Sequence, residues 1–137
     1  MNEMSDTSGR MVRILIIDDN LLIRRMLKMH IELASDLKVV GGDEIGARSV
    51  DLVARYRPDV VLVDFDMLGS TGKKIVEELH QAVPEIPVIA TSLNDSDTNV
   101  IIANEAGAID FVTKQADSVA LIQAIRRAIT VSRPGQV

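Results

Sequence analysis

The sequence contains no cysteine. Disulfides, thiolate metal sites and cysteine nucleophiles are therefore excluded, and the absence fits a reducing cytoplasmic setting. Aromatic residues make up only 2% of the 137 positions. The core must then be built from Val, Ile, Leu, Ala and Met, a usage that suits buried parallel strands covered by helices. The same scarcity argues against the stacked rings with which single-stranded nucleic-acid binders hold bases. No apolar run approaches the ~20 residues that span a bilayer, so no membrane association is expected. Segment 1–10 lacks the apolar stretch of a secretory signal and reads as a flexible tail. An excess of positive charge is also missing. The formal net charge is -5, and an acidic domain has no general attraction for phosphate backbones, so direct nucleic-acid binding is not expected.

What is present is enough for one compact domain. Hydrophobic residues are 47% of the chain and charged residues 26%, which allows a sizeable core under a soluble surface. Residues 11–131 read as the folded unit, and 132–137 as a tail or the stub of a linker.

Short apolar runs alternate with amphipathic stretches. Val12 to Ile17 is rich in β-branched residues and reads as a buried strand. Leu22, Ile23, Met26, Leu27, His30 and Leu33 then recur at helical spacing, with Asn20 placed to cap the helix. Leu37 to Val40 reads as a second strand. Glu44 to Arg57 reads as a helix stopped by Pro58. Asp59 to Val63 is the strongest strand pattern. After a Gly69–Gly72 loop come a helix over Lys73–Val83, a strand over Ile86–Ala90 and a helix over Asp95–Ala106, closed by Gly107. Ile109 to Val112 and Asp117 to Val131 complete the series as strand and helix, the latter with Val119, Leu121, Ile122, Ile125 and Ile129 as its apolar set. Strands and helices that alternate five times give a (βα)5 α/β fold. Such a fold is a doubly wound, five-stranded parallel sheet with helices on both faces.

In that architecture ligands bind beyond the carboxyl ends of the strands. Asp18-Asp19 ends the first strand, Asp64 the third, followed by Phe65-Asp66, and Thr91-Ser92 the fourth. Thr113-Lys114 follows the fifth. Converging carboxylates resist joint ionisation, and a hard divalent cation relieves them. Mg2+ suits carboxylate, carbonyl and water oxygens in octahedral geometry. A carboxylate is also a competent nucleophile for phosphoryl transfer, giving an aspartyl phosphate. The transfer needs positioning and neutralised charge, which the metal, Lys114 and the Ser92 hydroxyl can share.

Four segments carry a specific resemblance: Ile14–Asp19, Pro58–Gly72, Pro87–Ser92 and Ala106–Lys114. In order and spacing they resemble the landmarks of two-component response-regulator receiver domains, over roughly Arg13 to Ile129. The resemblance implies a flavodoxin-like sheet of strand order 2-1-3-4-5. It also implies a phosphoacceptor at Asp64 and Mg2+ held by Asp18, Asp19, Asp64 and the Asp66 backbone carbonyl, with Asp19 the more direct carboxylate and Mn2+ a substitute ion. Ser92 becomes the switch hydroxyl, Lys114 the phosphate-pairing lysine and Phe111 the switch aromatic. Asp66 and Asn94 take the positions that tune phosphoryl lifetime. The implied partner is a sensor histidine kinase or a histidine phosphotransfer protein, with homodimerisation on phosphorylation as an outcome. The domain would catalyse its own phosphorylation and dephosphorylation without being a turnover enzyme.

The sequence departs from the family pattern in places. Leu68 and Gln115 stand where many members have Pro, and Gln115 disfavours the usual cis bond because a non-proline cis peptide costs ~3 kcal/mol. A non-proline there resembles receivers of regulators with a C-terminal helix-turn-helix. Leu93 replaces a small residue beside the switch hydroxyl. Phe111 cannot make a tyrosine's hydrogen bond.

Each residue also has a plainer reading. Asp18-Asp19 and Asp64 can serve as turn or cap residues, Ser92 as a turn residue and Lys114 as a solvated charge. Coincidence of all four at strand tips is what favours the pocket. Gly72-Lys73 fails as a P-loop, which needs Gly where Met67 stands and Ser or Thr where Lys74 stands. His30 and His80 lie on separate helices without ligand-like partners, and Arg126-Arg127 belongs on a solvated face. Two other functions fit parts of the pattern. A phosphohydrolase resembling haloacid dehalogenases would use Asp64-Phe65-Asp66, but its metal-binding acidic pair should follow the lysine, and beyond Lys114 the only acid is Asp117. A phosphorylation-independent interaction module on the same fold would not need the acidic residues kept here.

Overall fold

The computed structural model describes residues 10–42, 47–94 and 96–132. Five strands, β1 (Val12–Ile17), β2 (Leu37–Gly41), β3 (Val60–Asp64), β4 (Val88–Ser92) and β5 (Asp110–Thr113), alternate with five α-helices. These are α1 (Leu21–Ile31), α2 (Ser49–Tyr56), α3 (Thr71–Ala82), α4 (Asp97–Ala106) and α5 (Ser118–Ser132), with one 3-10 turn at Leu68–Ser70. All strand pairs are parallel, in the order β2-β1-β3-β4-β5.

The sheet is apolar on both sides because both sides are covered. Val60, Val61, Leu62 and Val63 of β3 are all fully buried. Alternate side chains of the strands feed two cores. Ile14, Ile16, Val60, Leu62 and Ile89 pack with α1 and α5 through Leu27, Ile31, Leu121 and Ile125. Leu15, Val61, Val63 and Ala90 pack with α2, α3 and α4 through Leu52, Val53, Val76, Leu79 and Ala103. The chain therefore changes face after β2, and the strand order reverses beside β1. The β1 and β3 tips flank that switch point, where open α/β sheets bind ligands.

Helix ends follow the local chemistry. The Asn20 side chain accepts the Ile23 N–H at 3.0 Å and caps α1, as the sequence implies. Ser96 does the same for α4 through the Asn99 N–H. Gly107 ends α4 at φ 118°, and a Cβ there would lie 2.5 Å from the His80 ring. Only glycine suits both the backbone and the close approach.

Most element limits differ from the sequence reading by a residue or two; β3, for example, runs Val60–Asp64 rather than Asp59–Val63, and four other differences have a clear form. α2 begins at Ser49, not Glu44; Arg48 is extended (φ -72°, ψ 141°), and residues 43–46 lie outside the described residues. β4 runs from Val88 rather than Ile86, because the Ile86 N–H is used in a turn to the Val83 carbonyl and Pro87 has no N–H to donate. α3 starts at Thr71 and absorbs Gly72. β5 is displaced by one residue to Asp110–Thr113. Three side chains assigned to apolar faces are exposed instead: Leu22 at 73%, Leu33 at 69% and Val119 at 62%. Leu22 and Val119 sit in the first turns of α1 and α5, and Leu33 follows the end of α1.

Candidate functional site

The carboxyl ends of β1, β3, β4 and β5 bring their polar residues into one pocket. Asp18, Asp64, Ser92 and Lys114 are all buried there, while Asp19 is exposed at the rim. Carboxylate oxygens of Asp18, Asp19 and Asp64 lie within 4.8 Å of one another, the separation at which three carboxylates can share one cation.

Local structure fixes each group. The Asn20 N–H donates to Asp18 Oδ1 at 2.9 Å, and Arg24 Nη1 donates to the Asp18 carbonyl at 2.7 Å, so the start of α1 anchors this carboxylate. Asp64 stands at the end of β3, and the Asp66 N–H donates to its Oδ1 at 2.7 Å. α3 can reach the β3 tip because Gly72 has no side chain; a Cβ there would lie 2.2 Å from the Asp64 carbonyl oxygen. On the far side, the Lys114 N–H donates to the Ser92 carbonyl at 2.9 Å, which holds the β5 exit against β4. No peptide bond among the described residues is cis, so Lys114 precedes Gln115 in the trans form.

Lys114 is the hub. Its Nζ lies 2.7 Å from Asp64 Oδ1, 2.9 Å from Asp18 Oδ2 and 3.2 Å from Asp66 Oδ2. The approach to Asp18 Oδ2 is close but lacks hydrogen-bond geometry, so this buried oxygen has no hydrogen-bond partner. Burial works to lower the Lys114 pKa, but the bond to Asp64 and the negative charges of Asp18 and Asp64 outweigh it and hold the ammonium above its ordinary value. Burial pushes Asp64 up to about 6, with the negative Asp18 adding to the rise and the bonds from Lys114 and the Asp66 N–H opposing it. Four carboxylates, those of Asp18, Asp19, Asp64 and Asp66, thus face one ammonium. A hard cation is the direct remedy for such an excess, and Asp18 Oδ2, which accepts no hydrogen bond, is an oxygen it would satisfy.

Ser92 is fully buried; its hydroxyl donates to Asp66 Oδ1 at 2.6 Å and accepts the Asn94 N–H at 2.9 Å. The Leu93 N–H donates to Asp66 Oδ2 at 2.8 Å. Phe111 is half-buried on β5, in register with Ala90, and meets Phe65 edge-on at 6.5 Å. Asn94 turns away from the pocket: its side-chain oxygen accepts the Ser96 N–H and its carbonyl accepts the Asn99 amide, so it shapes the β4–α4 loop.

A family model described as response regulator receiver domain matches residues 14–126. The chain belongs to the receiver-domain family. It is 32% identical to the transcriptional regulatory protein DegU of Brevibacillus brevis over 92% of this chain and 52% of the relative. It is 34% identical to LiaR of Bacillus subtilis over 86% of this chain and 56% of the relative. The chain thus spans about half the length of these curated relatives. Among solved structures it is similar to the response regulator domain of Thermotoga maritima CheB, at 30% identity and TM-score 0.75 over 88% of this chain and 98% of that one. It is also similar to the receiver domain of NarL from Mycobacterium tuberculosis, at 26% identity and TM-score 0.77 over 89% and 98%.

Receiver domains are signalling modules of two-component systems, with an acidic Mg2+ pocket, and are phosphorylated by histidine kinases or phosphotransfer proteins. The observed strand order is that of the receiver fold, and the phosphohydrolase and phosphorylation-independent readings are not favoured. No helix among the described residues is long and apolar enough to cross a membrane. Sequence reasoning did not find the Asn20 and Arg24 supports of Asp18, the Leu93 N–H or the use of the Asp66 side chain. The first pair could have been inferred from the start of α1 just after the acidic pair. The Leu93 donor is a backbone group that any residue but proline supplies.

Proposed function

We propose that this receiver domain accepts a phosphoryl group on Asp64 from a phosphohistidine of a sensor kinase or phosphotransfer protein. The observation that carries the reading is the placing of Asp64 between the Lys114 ammonium, at 2.7 Å, and the Asp18 and Asp19 carboxylates at the switch point of the sheet. A carboxylate oxygen of Asp64 attacks phosphorus. The phosphorus–nitrogen bond breaks, and the electron pair leaves on the imidazole nitrogen. Lys114 holds the attacking carboxylate in place and pairs with a phosphoryl oxygen as charge spreads. Water later attacks the same phosphorus and releases inorganic phosphate, so Asp64 is restored.

Asp18, Asp19, Asp64 and the Asp66 backbone carbonyl are the ligands that would hold Mg2+, with Mn2+ as substitute. Bound there, the ion neutralises carboxylate and phosphoryl charge. The switch follows from charge. A phosphoryl dianion draws the Ser92 hydroxyl and Lys114 toward it. Phe111 responds, and the surface of α4, β5 and α5 changes its affinity for partners, itself included. Coupling of about 1–3 kcal/mol suffices for a change of ~5–150-fold. Residues 11–131 act as the unit, in the cytoplasm, without contacting nucleic acid.

Acetyl phosphate with Mg2+ tests the assignment. Intact-mass measurement should show one added phosphoryl group on the wild type and none on Asp64→Asn. Stoichiometric label on the variant would refute the acceptor.

A further inference from the structure

The Asp66 side chain is the feature that neither the metal pocket nor the acceptor chemistry uses. It spends both of its oxygens on the groups that should bind a phosphoryl group. Oδ1 takes the Ser92 hydroxyl at 2.6 Å, and Oδ2 takes the Leu93 N–H at 2.8 Å and stands 3.2 Å from Lys114 Nζ. A hydroxyl, a backbone N–H and an ammonium around an anionic acceptor are the donors a phosphoryl group on Asp64 would require. We propose that the Asp66 carboxylate is a tethered stand-in for the phosphoryl group, holding Ser92, the Leu93 N–H and Lys114 inward until phosphorylation displaces it.

The inference rests on the reading of Asp64 as phosphoacceptor and adds a regulatory step to it. An internal ligand occupies its site without loss of translational freedom, so the incoming group must compete with it. Only the fraction of molecules with Asp66 swung out is competent to receive the phosphoryl oxygens, and apparent affinity falls by that fraction. Asp66 can swing, because its side chain is 29% exposed while those of Asp18, Asp64 and Lys114 are within the pocket. The stand-in also sets the resting state. At rest the Ser92 hydroxyl and the Leu93 N–H are bonded to Asp66 rather than Asp64, so phosphorylation draws them from one acceptor to the other. The larger event is release of Asp66 at the mouth of the pocket, beside Leu93, which is 53% exposed.

Beryllofluoride with Mg2+ serves as the phosphoryl probe, followed by amide NMR on the wild type, Asp66→Ala and Asp66→Asn. Both variants keep the backbone carbonyl at this position. The Leu93 amide of the free wild type should resonate downfield, as an N–H bonded to a carboxylate does, and should move little when beryllofluoride binds. In free Asp66→Ala it should lie upfield and return downfield on binding, and apparent affinity for beryllofluoride should rise by about tenfold or more. Asp66→Asn should fall between, since its one acceptor oxygen can serve only one of the two donors. A mere loss of negative charge would raise affinity but leave the Leu93 amide of the free protein unmoved. That outcome, or unchanged affinity, overturns the stand-in. Failure of beryllofluoride to bind any of the three folded proteins would instead remove the phosphoacceptor reading beneath it.

Discussion

Replacing Lys114 by Met keeps most of the buried stem and removes only the charge, which makes it a direct test of the electrostatic balance in the pocket. The ammonium lies 2.7 Å from Asp64 and 2.9 Å from Asp18, with all three side chains almost wholly buried. Removing one partner of a buried pair costs about 3–5 kcal/mol, because the remaining charge is left uncompensated. Here the loss has an outlet. Asp64 is already pushed up to about 6 by burial, and without Lys114 it goes higher. A carboxyl whose folded pKa lies above its unfolded value of about 4 weakens the fold as pH rises through that window, and protonation relieves it below. The cost of Lys114→Met should therefore be small near about pH 5, where Asp64 takes up a proton, and approach roughly 3 kcal/mol near about pH 8. For a chain of 137 residues that is a fall in melting temperature of roughly 10 °C. Mg2+ should restore much of the loss at the higher pH, since a ligand of the native state stabilises by mass action. Thermal melts at the two pH values, with and without Mg2+, decide the matter. A loss equal at both, and indifferent to Mg2+, would refute the account of Lys114 as the counter-ion of a crowded acidic pocket.

Mg2+ and protons should compete for Asp64: apparent Mg2+ affinity should hold above about pH 6 and fall by up to about tenfold per unit below it, as read by calorimetry across that range. Gly72→Ala should place a methyl group against the Asp64 carbonyl, 2.2 Å away before relaxation; the expected loss is roughly 1–3 kcal/mol in urea melts, with weaker beryllofluoride binding because β3 and α3 must separate.

Most of the fold was legible because its signals are local. The unbroken apolar run Val60–Val63 announces a strand covered on both faces, and Gly107 and Asn20 announce helix ends. The limits failed where tertiary geometry overrides composition. Thr91 and Ser92 are polar and lie past the apolar run Ile86–Ala90, yet both belong to β4 because Asp64, Val112 and Thr113 of the neighbouring strands supply ladder partners. Ile86 looked like a strand residue, but its N–H is spent in a turn. Leu22 and Val119 fit helical spacing and are still exposed, since periodicity tells which side chains share a face and not whether every position on it is covered.

The site divides along the same line. Asp18, Asp64 and Lys114 could be named from sequence because each ends or follows a strand, and parallel strands of one sheet bring such residues to one edge whatever their separation along the chain. Asp66 could not be assigned in this way. It lies two residues past a strand end, where the backbone has left the ladder and its side chain could turn to the metal, to solvent or across to β4. Its choice of β4 depends on a backbone donor at Leu93 and a fully buried hydroxyl at Ser92. Burial works to raise the Asp66 pKa, but those two bonds and the nearby Lys114 outweigh it and hold the carboxyl below its ordinary range. The carboxylate is therefore charged when it fills the place of a charged ligand. A pocket made to bind a transferred anion will hold any anion the chain itself can deliver there. Asp66, two residues beyond the acceptor, is an acid that reaches that pocket, with one oxygen on Ser92 and the other on the Leu93 N–H.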